Sequence, residues 1–189
     1  MAKVIFYLHA KNGQSDELIR AATELASDGL FLRDRLQLTV MQPRSADVLA
    51  VPPDSQFLAG LDTVLEIVAP LGQALRQQLP PLHSALVPVL DLVDKAQSHL
   101  VAGYARSFQE SGPKPVRYHY LMYRRADFSR ADYLDYYVHS HSRFGLASPL
   151  ADYYQNYLDQ EAGQEMAQEF GLNVPEADSI SELRFASVE

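Results

Sequence analysis

The chain has 189 residues, 47% of them hydrophobic, enough to bury one large core or two small ones. A net charge of −8 and a pI of about 5.2 leave no basic surface for phosphates, so nucleic acid is not expected as a partner. The lack of cysteine excludes disulfides, thiolate nucleophiles and Cys-ligated zinc or iron–sulfur centres.

The opening MAKVIFYLHA carries one Lys and only a short apolar run. It fits neither a secretory leader nor a membrane span, so a soluble, cytoplasmic protein is expected. Residues 3–10, KVIFYLHA, predict a buried strand closed by KNG. Ser15 then offers an N-cap to a helix with Asp16 and Glu17 in its first turn, a stripe of Leu18, Ala22 and Leu25, and Gly29 at its end. RLQLTVMQP alternates as a half-buried strand ending at Pro43, and DTVLEIVAP over 62–70 is a third strand. Residues 71–97 have helical spacing, which Pro80, Pro81 and Pro88 should interrupt, and HLVAGYARSF over 99–108 is a fourth strand. Strand, helix, strand, strand, helix, strand is the order of a ferredoxin-like split βαβ unit. ESGPKP, 110–115, reads as a linker.

The order then begins again. VRYHYLMYRR (116–125) is a strand, and Ser129 with Asp132 three residues on opens a helix. ADYYQNYL (151–158) and SISELRFASV (179–188) are two more strands. Asp62 and Glu66 in DTVLE stand as Asp178 and Glu182 do in DSISE, which favours an internal duplication. The expected fold class is thus α+β, with tandem ferredoxin-like repeats over 1–110 and 115–189. The second is incomplete at its C-terminal end and leaves its third strand with an open edge.

Of 11 tyrosines, nine fall within residues 118–157, so any aromatic-rich site belongs to the second repeat. In DYLDYYVHSHSRFG the positions 133, 137 and 141 are spaced by four, which sets Tyr133, Tyr137 and His141 along one helical stripe. Two readings stand. The tyrosines pack the helix on its sheet and His141 complements the helix C-terminus, or the stripe lines a cavity in which His141 moves a proton. His139 and His141 cannot share one helix face, so no metal pair is expected there. His9 and His119 read as strand residues with bonded rings, His83 and His99 as isolated, Asp91 and Asp94 as a solvated edge, and Arg124 and Arg125 as a solvent-facing pair. No phosphate loop, nucleophile elbow or dinucleotide fingerprint is present, and no cofactor is expected.

YRRADFSRADYLDYYVHSHSRFG resembles the EthD family, whose helix carries an aromatic, an aromatic pair and a His four residues after the second aromatic. Those are Tyr133, Tyr136 with Tyr137, and His141. YYQNYL resembles the family's following strand through Tyr153, Gln155 and Asn156, and DSISELRFASVE its third strand through Asp178, Glu182 and Phe185. The resemblance covers 116–189 well and is an echo over 1–110. Tyr137 stands where the family usually has Trp, and the first repeat's helix has no counterpart of His141. The resemblance implies a homodimeric α/β barrel whose cavity takes a small apolar or aromatic organic molecule. It implies His141 as the catalytic group, with Tyr133, Tyr137, Tyr153, Gln155 and Phe185 around the substrate. Metal-free acid–base chemistry of isomerase, dehydratase or oxidoreductase type would follow. A non-catalytic ligand-binding or stress-related protein is the alternative, and a haem-binding barrel a third.

Overall fold

The computed structural model describes residues 1–27, 36–43, 57–69, 79–147 and 151–187, with residues 79–81 described by their backbone alone. It is an α+β protein of antiparallel strands and packed helices, and it divides into two compact units. The first comprises Met1–Gly103 with Asp159–Pro175, the second Tyr104–Leu158 with Glu176–Glu189. No helix among the described residues is long and apolar enough to cross a membrane.

The first unit runs β1 (Ala2–Leu8), α1 (Ser15–Ala26), β2 (Gln37–Met41), β3 (Thr63–Ala69), α2 (Leu79–Leu90) and the first half of β4 (His99–Gln109). Its strands are ordered β2-β3-β1-β4. β1 is buried along its whole length, Lys3 included, as its largely apolar run predicts, while β2 is half-buried as its alternation predicts. Val4, Phe6 and Leu8 enter a core with Leu18 and Ala22 of α1 and with Leu86 and Val89 of α2.

Three details differ from expectation. Ser15 is the first helical residue rather than the cap, and its hydroxyl bonds the Asp62 carboxylate instead. Helix α2 continues through Pro88, which falls in its last turn, where the missing N–H removes only one late hydrogen bond. Residues 159–178, unassigned from sequence, hold a helix, α5 (Gln160–Phe170), introduced here ahead of its two predecessors. Its signals are legible: Asp159 accepts from the Ala162 N–H at 3.0 Å, and Gly171 closes the helix at φ 70°, where an L side chain is strained. Met166, Ala167 and Phe170 join the first unit's core, with the Phe170 ring edge-on to Phe6 at 5.3 Å. The end proposed at Gly29 and the helical spacing over 71–78 lie outside the described residues.

The second unit holds the rest of β4, then β5 (Val116–Met122), α3 (Arg130–Tyr136), a π-helical turn (Tyr137–His141), α4 (Ser142–Leu146), β6 (Asp152–Leu158) and β7 (Ser179–Phe185). β7 is the middle of three, between β6 and β5. The third strand is therefore not the open edge that the sequence suggested: the strand paired to β7 alone of these three is β5.

Within each unit the same clamp recurs. The Asp62 N–H donates to the Leu8 carbonyl at 3.0 Å, and the Asp62 carboxylate accepts from the Ala10 N–H at 2.7 Å. The Asp178 N–H donates to the Met122 carbonyl at 2.8 Å, and its carboxylate accepts from the Arg124 N–H at 2.9 Å. Each Asp precedes its strand and fastens the far end of the strand beside it, which is why the DTVLE and DSISE stretches rhyme. The registers match as well: Glu66 faces Ile5 and Thr39, and Glu182 faces His119 and Tyr154.

Candidate functional site

Ser129 caps α3: its hydroxyl accepts from the Asp132 N–H at 3.1 Å and donates to the Asp132 carboxylate at 2.6 Å. The helix then widens into a π turn at Tyr137–His141, a feature that costs regularity and recurs at functional sites. Gln155 of β6 fits that turn, its Nε2 donating to the Tyr137 carbonyl at 2.6 Å.

The predicted stripe forms. The Tyr133 and Tyr137 rings stack at 5.8 Å, and the His141 ring lies 5.3 Å beyond Tyr137. All three polar tips land on one face of β7, where Ser179 and Ser181 alternate. The Tyr133 hydroxyl meets Ser179 Oγ at 2.6 Å, the Tyr137 hydroxyl meets Ser181 Oγ at 3.0 Å, and His141 Nε2 meets the same Ser181 oxygen at 3.2 Å. Burial pushes the Tyr133 phenol up to about 12 and the Tyr137 phenol well above the ordinary range. Both stay protonated at any physiological pH, so each is a neutral hydroxyl that shares a hydrogen bond with its serine and is no base. Burial lowers the pKa of His141, so its neutral ring prevails at neutral pH.

Tyr133, Tyr137, Tyr153 and Gln155 are buried, His141 and Phe185 half-buried. Tyr153 and Gln155 serve each other: Gln155 Nε2 donates to the Tyr153 hydroxyl at 2.9 Å, and its Oε1 accepts from Tyr157 at 2.5 Å. Phe185 shares the face of Ser181 but stands four residues along β7, roughly 13 Å away at strand rise. His139 points elsewhere, exposed and 3.7 Å from Asp135.

Four residues were missed: Ser179, Ser181, Tyr120 and Phe144. Tyr120 is the cross-strand partner of Ser181 and Tyr118 that of Leu183, so both tyrosines share the face of the stripe. They are 48% and 38% exposed and stack at 6.5 Å, while Phe144, at 5.7 Å from the His141 ring, is 69% exposed. An imidazole beside the uncovered Phe144 ring, over a sheet face that also displays Tyr118 and Tyr120, is a surface for planar apolar ligands. The alternation in VRYHYLM and SISE held this information, but only the pairing register joins it to His141.

Fold and site together define an α+β protein whose second unit carries a histidine on an aromatic sheet face. No protein-family model and no curated protein matches the chain.

Proposed function

We propose that the chain is an EthD-like protein of two tandem ferredoxin-like repeats, and that its second repeat binds a small apolar or aromatic organic molecule beside His141. The tandem reading is supported by the paired Asp62 and Asp178 clamps, by the matching registers around Glu66 and Glu182, and by the order β2-β3-β1-β4. The functional reading rests on one observation above all: a half-buried imidazole hydrogen-bonded to a buried serine and bordered by exposed Phe144. The neutral ring accepts a proton from the bound molecule, and the hydroxyls of Ser181 and Tyr137 behind it supply hydrogen-bonding as the ring becomes charged. A haem on His141 has less support, since Nε2 is already engaged by Ser181.

With a ligand identified by native mass spectrometry of the purified protein, His141→Ala should lower turnover at least about a hundredfold while affinity stays within about tenfold, about 1.4 kcal/mol. Turnover unchanged in the variant, or none in the wild type, moves the protein to the non-catalytic binding class. The pH dependence follows from the lowered pKa. The folded state favours the neutral ring, so its contribution to stability is full above the ordinary value of 6.5 and is lost as pH falls through the lower folded value. Activity keeps an alkaline plateau and declines on the acid side, below pH 6.5.

The assembly we propose is a symmetric homodimer. β1 has neighbours on both sides, β3 and β4, whereas β5 pairs with β7 and displays Tyr118 and Tyr120. Such an edge invites a partner, and a stable one buries more than about 1,000 Å². Light scattering should give twice the chain mass of 21.2 kDa, and a 21.2 kDa particle at micromolar concentration overturns the dimer.

A further inference from the structure

Behind His141 the second unit holds a row of hydroxyl groups. Ser181 Oγ meets the Tyr137 hydroxyl at 3.0 Å and His141 Nε2 at 3.2 Å, and Ser179 Oγ meets the Tyr133 hydroxyl at 2.6 Å. Among the described residues no carbonyl and no carboxylate accepts from Tyr137 or from Ser181. Burial keeps the Tyr137 phenol protonated, so both of these hydroxyls carry a hydrogen that needs an acceptor.

The hydrogen of the imidazole decides how the row is ordered. A neutral ring carries one N–H and one lone pair. With its hydrogen on Nε2, the ring adds a donor to Ser181. Ser181 then accepts from both sides and leaves its own hydrogen without a partner, or it donates to Tyr137. In the second case the phenolic hydrogen is left with Ser179 alone, which Tyr133 already engages. Tyr137 is 0% exposed and Ser181 7%, and an unbonded donor buried in this way is costly. With its hydrogen on Nδ1, the ring offers Nε2 as the acceptor that ends the row. Tyr137 donates to Ser181, Ser181 donates to Nε2, and both hydrogens are placed in one direction. Nδ1 itself has no partner among the described residues and is not enclosed by them.

We propose that Tyr137 and Ser181 are positioning residues that hold His141 as its Nδ1–H tautomer, and that the molecule bound there is a planar one presenting a carbonyl oxygen to that N–H. This rests on the reading that His141 borders the ligand, and it sharpens that reading. The resting ring meets the bound molecule as a neutral hydrogen-bond donor. It takes a proton only as the minor Nε2–H tautomer: Ser181 turns its hydrogen away, Nε2–H donates to Ser181 Oγ, and the proton arrives on Nδ1.

Proton–nitrogen correlation spectra of the full chain, carrying isotope-labelled histidine and held at about pH 8, where the ring is neutral, read the tautomer without any ligand. His141→Gln assigns the signals. A protonated-type Nδ1 and an unprotonated-type Nε2 are expected. Ser181→Ala, which removes the donor to Nε2, should return His141 to the Nε2–H form that histidine favours in water. Ser181→Thr, which keeps the hydroxyl, should retain Nδ1–H. Acetophenone and α-methylstyrene, in which a methylene replaces the carbonyl oxygen, then probe the ligand class. Acetophenone should bind the wild type about threefold to tenfold more tightly, the usual net contribution of one hydrogen bond, and should shift the Nδ1–H signal. That preference should vanish in Ser181→Ala. An Nε2–H ring in the wild type, or Nδ1–H retained in Ser181→Ala, overturns the tautomer assignment whatever binds. Equal affinity for the two compounds overturns the ligand class. If neither compound moves a His141 signal, the ligand surface itself is overturned, a failure told apart from the first because the tautomer is read in the free protein.

Discussion

Gly145→Ala is expected to destabilise the second unit by about 2 kcal/mol or more, although alanine is the better helix former. Gly145 lies in α4, and a Cβ built there falls 2.4 Å from Tyr153 Cγ and 2.5 and 2.6 Å from its two Cδ atoms, on the face of the ring. That ring has nowhere to go. It is 1% exposed, its hydroxyl is held by Gln155 Nε2, and Phe108 lies 5.7 Å away. Either α4 lifts from β6 or the ring is displaced, and a displaced ring pulls Gln155 away from the Tyr137 carbonyl and the π turn. Gly163, in α5, is the control. Its nearest neighbour is Val174 Cγ1 at 3.7 Å, ordinary contact, so Gly163→Ala should stabilise by roughly 0.5–1 kcal/mol through helix propensity. Urea unfolding of the two variants beside the wild type reads the contrast. Equal stability of Gly145→Ala and wild type would mean that α4 does not rest on Tyr153.

The strands were legible because their patterns state their burial: β1 and β3 as apolar runs each broken by one charged residue, Lys3 and Glu66, and β2 as an alternation. Helix α3 was legible from Ser129 and Asp132, and the stripe of Tyr133, Tyr137 and His141 from spacing alone. What the stripe touches was not. Ser179 and Ser181 become its partners through the packing of a helix on a strand some forty residues away, and no local pattern encodes that. Helix α5 was overlooked because its core face uses Gly163, Met166, Ala167 and Phe170 rather than a leucine stripe, although Asp159 and Gly171 mark both ends. His119 read as a bonded strand residue because its neighbour, Glu182, is 63 positions away and is brought opposite only by the β5–β7 register. The likeness of DTVLE to DSISE was visible in two acidic positions; the shared role of Asp62 and Asp178, fastening the adjacent strand's end, needed their hydrogen bonds.

The second large effect is expected in the first unit. Lys3 Nζ meets Glu66 Oε2 at 2.8 Å, diagonally across the β1–β3 pair, with both side chains 2% exposed. Lys3→Met keeps the length and apolar stem of the side chain but takes the ammonium from a buried carboxylate, and should cost about 3–5 kcal/mol. The pair's net value is a different quantity. Desolvating both charges offsets most of their attraction, so Lys3→Met combined with Glu66→Gln should be far less damaging than Lys3→Met alone. A double-mutant cycle by urea unfolding separates the two, with a coupling of roughly 1.5–3 kcal/mol expected for charges in direct contact. The second unit repeats the diagonal with Arg117 and Glu182, but at 3.8 Å and with the Arg117 side chain 14% exposed, a longer and better solvated contact than Lys3 with Glu66. Arg117→Met should therefore cost clearly less than Lys3→Met. Equal losses at the two sites would mean that the stability comes from packing along the strands and not from the ion pairs.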